Sequence, residues 1–173
     1  MRDMQKIALM ASYLLRYPDD AWYDELPSWK EDLQAIEHVQ FKNLLGEFFQ
    51  YIEEMDRKEF EHQYVRTFDF SQNTTLYLST YELQGTGEQA EELVRFKAFY
   101  LENGYDAPSE MPDYVPALLE LCAALDIEKG KEVFEYAKPK LEYVRERFIE
   151  AKSPYAFLFD VIVSVASGWG ASA

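Results

Sequence analysis

The chain has 173 residues, 48% of them apolar and 16% aromatic, and its 17 basic against 32 acidic residues give a net charge of −15. The length fits one domain of the usual ~100–200 residues, and twelve Phe with thirteen Tyr supply core volume that a disordered chain lacks. The charge argues against nucleic acid and anionic membrane surfaces, which call for clustered Lys and Arg, and favours a basic peptide or protein segment.

The apolar spacing is helical almost throughout. Met4, Ile7, Ala8, Ala11, Leu14 and Leu15 recur on one face of a first helix, which Tyr17-Pro18-Asp19-Asp20 ends. A less regular second helix is expected from about Pro27 to Val39. Phe41, Leu44, Leu45, Phe48, Phe49 and Ile52 form the cleanest amphipathic face, and Asp56 followed by Glu59 marks the next helix start as a capping box. That helix carries Phe60, Tyr64, Val65 and Phe68, and 71–75 is a polar break. Residues 76–83 fit strand or helix; helical surroundings favour helix.

Gly85-Thr86-Gly87 reads as a flexible turn before a helix over about 88–102, which Asn103-Gly104 closes as a left-handed terminator. Residues 105–111 form a loop. The next helix has Tyr114, Leu118, Leu121 and Leu125 on one stripe; Pro116 suits its first turn and Asp113 suits its cap. Phe134, Ala137, Leu141, Val144 and Phe148 face inward on a long helix that contains Pro139. Ser153 and Pro154 open a last, nearly all-apolar helix ending at Gly168. The expected fold is all-α: a single domain, 1–173, built as a bundle of about seven to nine helices.

Catalytic and metal chemistry find little footing. Cys122 is the only cysteine, so no internal disulfide forms; its apolar helical setting makes it a buried thiol, and a reducing cytoplasm is the expected compartment. His38 and His62 lie far from each other and from Cys122 in sequence, which is no metal spacing. Gly85-Thr86-Gly87 lacks the third glycine, strand and lysine of a phosphate loop. The amino terminus lacks a signal peptide's apolar core, and 156–166 is too short to span a bilayer. No enzyme activity, cofactor, nucleic acid or membrane insertion is expected.

The charge is unevenly placed. Residues 71–127 hold ten carboxylates against Arg95 and Lys97, while 128–173 balances seven against seven. Tyr64, Tyr77, Tyr81, Tyr100, Tyr105 and Tyr114 are interleaved with the acidic stretch. Aromatic anchors with acid on the rim suit a groove for an amphipathic basic helix. The same tyrosines also fit a core with hydroxyls at its edge.

Three segments carry a resemblance: Tyr64-Val65-Arg66-Thr67-Phe68-Asp69-Phe70, then Leu76-Tyr77-Leu78, then Gly104 with Glu110-Met111-Pro112-Asp113-Tyr114-Val115-Pro116 running into Leu118-Leu119-Glu120. In order and spacing they resemble the delta-subunit assembly chaperones of respiratory nitrate reductase (the NarJ type), within the redox-enzyme maturation proteins that include the TMAO and DMSO reductase chaperones. The likeness is close over 64–125 and one of pattern elsewhere.

The resemblance implies a helical, non-catalytic chaperone that binds the apo catalytic (alpha) subunit, including its N-terminal peptide. Such a protein keeps the subunit competent for molybdenum cofactor insertion before membrane docking. Two departures stand out. Gly85-Thr86-Gly87-Glu88-Gln89 replaces a Gly-Asp-x-Arg turn, and the chain ends at Ala173 without the long polar tail of some relatives. Neither that arginine's role nor the tail's is carried over. On this reading Tyr64, Phe68, Asp69, Tyr77, Glu110, Asp113 and Tyr114 surround one peptide groove, with Asp113 and Asp69 equally readable as helix-end residues. The rival readings are a chaperone for another molybdoenzyme, or an acidic helical regulator without a redox client.

Overall fold

The computed structural model describes residues 2–80 and 86–171, and among these the chain forms eight α-helices, one 3-10 turn and no strand. The helices are α1 (Asp3–Leu14), α2 (Asp20–Gln34), α3 (Val39–Glu54), α4 (Arg57–Phe68), α5 (Thr86–Glu102), α6 (Val115–Ala124), α7 (Ile127–Glu150) and α8 (Ala156–Gly168). The expected all-α bundle is what the chain adopts.

Helix α8 is the axis of the packing. Leu158, Phe159, Val161, Ile162, Val163, Val165 and Ala166 are all buried, so this helix is apolar over most of its circumference. It takes α7, α1 and α3 as neighbours, while α1 lies against α6 and α6 against α7. A helix this apolar must be covered on most sides; the stripe of Phe157, Asp160, Ser164 and Ser167 reaches solvent, and burial of the rest stabilises the bundle at about 25 cal/mol per Å². Trp169, just past α8, seals one end: its ring lies 4.8 Å from Phe134. The space it occupies requires glycine at 130, because a Cβ there would stand 2.7 Å from the Trp169 indole nitrogen.

Local signals set most boundaries. Asp56 caps α4, accepting from the backbone N–H groups of Lys58 and Glu59 at 3.1 and 3.3 Å. Asp126 caps α7 through Lys129 N at 2.9 Å. Helix α5 ends in a Schellman turn: Gly104 has φ +79°, Tyr105 N donates to Tyr100 O at 3.0 Å, and Gly104 N to Leu101 O at 3.2 Å.

Three expectations are corrected. The second helix starts at Asp20, not near Pro27, because Asp19 accepts from Trp22 N at 2.8 Å and caps it; Pro27 sits on the exposed side of the helix interior. The final helix starts at Ala156, and Ser153 instead braces the preceding turn by accepting from Tyr155 N at 3.3 Å.

The helical expectation for 76–80 also gives way. Tyr77 pairs with Tyr114 in an isolated antiparallel bridge, with Val115 N donating to Leu76 O at 2.9 Å and Leu78 N to Asp113 O at 3.3 Å. The 3-10 turn Leu78–Thr80 follows. A partner more than thirty residues away satisfies this backbone, and local periodicity carries no trace of it. The rest of that expected helix, 81–83, and Gly85 of the expected turn lie outside the described residues. Thr86 and Gly87 belong to α5.

Candidate peptide-binding groove

The bridge between 76–78 and 113–115 gathers the seven sequence-predicted residues into one neighbourhood. Tyr77 and Tyr114 lie with ring centroids 5.2 Å apart. Behind Tyr114 stands Tyr64, buried on α4, whose hydroxyl donates to Leu15 O at 2.8 Å. Phe68, one turn on, packs 4.6 Å from Tyr64 and 4.8 Å from Tyr155. Asp69 is exposed at the end of α4, close enough for its charge to act on Tyr64 and Tyr77.

Asp113 is held inside this neighbourhood. It is 1% exposed, and its Oδ2 accepts from Ser79 N at 2.8 Å and Ser79 Oγ at 2.6 Å. The N-cap of α6 is Tyr114, with no side-chain cap bond, so the expectation that Asp113 caps that helix is corrected. Its carboxylate instead fastens the 3-10 turn to the start of α6. Charge-assisted bonds to a buried carboxylate are among the stronger polar contacts, which suits a fastening.

In front of Tyr114 a cleft of about 590 Å³ opens between α1, α2 and the start of α6. Tyr13, Trp22 and Trp29 floor it as a stack, Tyr13 lying 4.9 Å from Trp22 with planes 7° apart and 5.0 Å from Trp29. Trp22 Nε1 donates to Tyr13 O at 2.9 Å, and the Tyr13 hydroxyl donates to Trp22 O, which locks the pair. Asp19, Glu25, Glu110 and Glu120 line the cleft against one cation, Arg16, and Arg16 is bonded to Glu120. The lining is therefore aromatic below and acidic around.

Only Glu110 and Tyr114 of the seven line this cleft directly; Tyr64 supports Tyr114 from behind, and Phe68 is turned toward the core. Sequence reading missed the floor and three of the four rim carboxylates: Tyr13, Trp22 and Trp29, with Asp19, Glu25 and Glu120. One signal was available, because Trp22 and Trp29 are seven apart and so share a helix face.

Burial sets the protonation of the tyrosines. It pushes the Tyr114 hydroxyl up to about 12, with Tyr77 and Glu110 adding to the effect. It raises Tyr64 and Tyr13 further, with neighbouring negative groups again assisting. These hydroxyls stay neutral at physiological pH and serve as hydrogen-bonding partners. Cys122 is fully buried and its thiol is pushed well above the usual range by desolvation. Among the described residues, no group of His, Cys, Asp and Glu is placed to hold a metal ion, and no helix is long and apolar enough to cross a membrane.

Fold and cleft together define a class: an all-helical bundle with a concave, aromatic, acid-rimmed surface. The family profile described as "Nitrate reductase delta subunit" matches residues 32–160, and the chain belongs to that family. The chain is 33% identical over 160 residues, 92% of its length and 87% of the relative's, to the probable nitrate reductase molybdenum cofactor assembly chaperone NarJ of Bacillus subtilis (strain 168). It is 28% identical over 162 residues, 92% of this chain and 69% of the relative, to the nitrate reductase molybdenum cofactor assembly chaperone NarJ of Escherichia coli (strain K12). The nitrate reductase-like protein NarX of Mycobacterium tuberculosis (strain ATCC 25618 / H37Rv) is 29% identical over 147 residues, 84% of this chain but 22% of that longer protein.

Proposed function

We infer that this chain is an assembly chaperone for a respiratory nitrate reductase. It binds the apo catalytic subunit in the cytoplasm and supports molybdenum cofactor insertion before the subunit docks at the membrane. It acts by binding, without a catalytic step of its own. The family membership and the names of its relatives support the client class. The observation that carries the binding mode is the Tyr13–Trp22–Trp29 floor ringed by Asp19, Glu25, Glu110 and Glu120.

In this reading the occupant of the groove is the catalytic subunit's N-terminal peptide, folded as an amphipathic basic helix. Its apolar face covers the aromatic floor, where rigid rings give contact area at low entropic cost. Its cations meet the rim carboxylates, which speed encounter and fix orientation more than they raise affinity. Tyr114 sits at the join: it lines the groove, and its backbone is paired through Tyr77 to the 3-10 turn, so the groove wall is braced by the Asp113–Ser79 fastening.

The test is the state of the client in a host lacking this chain. The catalytic subunit purified from such a host should be poor in molybdenum, and restoring the chain should restore the metal. A fully loaded subunit made without the chain would overturn the reading.

A further inference from the structure

Arg16 stands in the groove where a cation of the client is expected. It is the one basic side chain that lines the cleft, and its guanidinium donates through Nη2 to Glu120 Oε1. The same oxygen accepts from Ser12 Oγ at 3.2 Å. Ser12 lies in the last turn of α1 and Arg16 just beyond it, while Glu120 belongs to α6, so the pair reaches across one end of the cleft. Arg16 is also near Tyr114: burial raises that hydroxyl's pKa, and the guanidinium counters part of the rise. One cation thus sits beside two groove residues.

The pair is built to be exchanged. The Arg16 side chain is 48% exposed and that of Glu120 45%, and pairs this open hold weakly because water and salt compete for each charge. Ser12 Oγ does not depend on Glu120, since Pro116 O lies 2.9 Å from it. Arg16 uses one oxygen of the carboxylate, whereas a guanidinium arriving from solvent can fork across both. A permanent fastening in this chain looks different: Asp113 is 1% exposed and takes both of its Ser79 donors inside the fold.

We propose that Arg16 is a resident stand-in for the client's cation, which occupies Glu120 in the free protein and is displaced when a basic segment docks. This assignment rests on the groove reading above and deepens it, making Arg16 a specificity-determining residue. One of the four rim carboxylates is masked until a competitor arrives. A segment with a cation at the α6 end of the groove can take Glu120 over, whereas one without it gains nothing there and leaves Arg16 in place. The exchange lowers affinity for every basic segment and so raises the threshold that a non-client must pass.

The test is calorimetric titration of the client's N-terminal peptide, at low and high salt, into four proteins: the wild type, Arg16→Gln, Arg16→Lys, and Arg16→Gln with Glu120→Gln. Arg16→Gln should bind about two- to fivefold tighter and lose affinity more steeply as salt is added. Arg16→Lys should return to the wild-type affinity, and the double variant should lose the gain. The Tm of Arg16→Gln should stay within about 4 °C of the wild type; a larger fall would make the pair structural and overturn the assignment. Equal or weaker binding by Arg16→Gln would also overturn it, weaker binding meaning that Arg16 itself holds the peptide. A gain that survives Glu120→Gln undiminished would reduce the effect to net charge and do the same. In each of these cases the wild type still binds the peptide, whereas no binding by any of the four proteins would overturn the groove reading and this assignment with it.

Discussion

Replacing Asp113 with alanine removes one acceptor from two donors at once. Ser79 N and Ser79 Oγ both give their hydrogen bonds to Asp113 Oδ2, at 2.8 and 2.6 Å, and Ser79 is buried. Each donor stranded without a partner costs about 1–3 kcal/mol, and the two share one site, so the sum is about 2–4 kcal/mol rather than the simple total. For a chain of this length each kcal/mol moves Tm by about 2–4 °C, so a fall of about 5–15 °C is expected. Ser79→Ala keeps the backbone donor and loses only the hydroxyl, and should cost about 1 kcal/mol. Thermal unfolding of both variants, followed by circular dichroism, gives the comparison. An Asp113→Ala protein melting within about 2 °C of the wild type would refute the fastening role. Loss of peptide binding at unchanged Tm would mean that the carboxylate touches the ligand instead.

Gly130→Ala should destabilise the bundle even though alanine is the better helix former by about 1 kcal/mol. The new methyl would meet the Trp169 indole at 2.7 Å and the Cys122 carbonyl at 3.1 Å, and backbone cannot step aside. Overpacking of about 1–3 kcal/mol against that gain leaves a net cost of up to about 2 kcal/mol, so Tm should drop by up to about 8 °C; a rise would count against the packing described. The tyrosines set an alkaline limit. Burial raises Tyr114 to about 12 and Tyr64 higher, from an unfolded value of 10.0. The folded chain therefore keeps protons that the unfolded chain releases, so this stability is fully present below about pH 10 and is lost as pH climbs toward about 12. Tm should decline across that window, and a flat profile would contradict the burial of these hydroxyls.

What the sequence disclosed follows from the range of each signal. The faces of α1, α3, α6 and α8 were readable because amphipathic spacing is local, and so were the Asp56 cap and the Gly104 terminator. Pro27 misled, because a proline in a helix interior looks like a proline at a helix start, and the cap at Asp19 lay outside the window judged helical. The Tyr77–Tyr114 bridge was invisible because its partners are far apart in sequence. The same separation hid the role of Asp113: an aspartate two residues before a helix reads as its cap until Ser79 is seen against it. Glu110 and Tyr114, which line the cleft, lie in the segment that carries the family resemblance, whereas Tyr13, Trp22 and Trp29 carry no motif, because stacking across two helices leaves none.

The groove reading stands or falls on calorimetric titration of the client's N-terminal peptide into the wild type and into Glu25→Lys with Glu110→Lys. Both carboxylates are exposed, so the variant should melt as the wild type does. The account predicts saturable binding by the wild type, and an affinity about tenfold weaker in the variant, because reversing two rim charges turns attraction into repulsion. Equal affinity in both proteins, or no binding to the wild type, would contradict it.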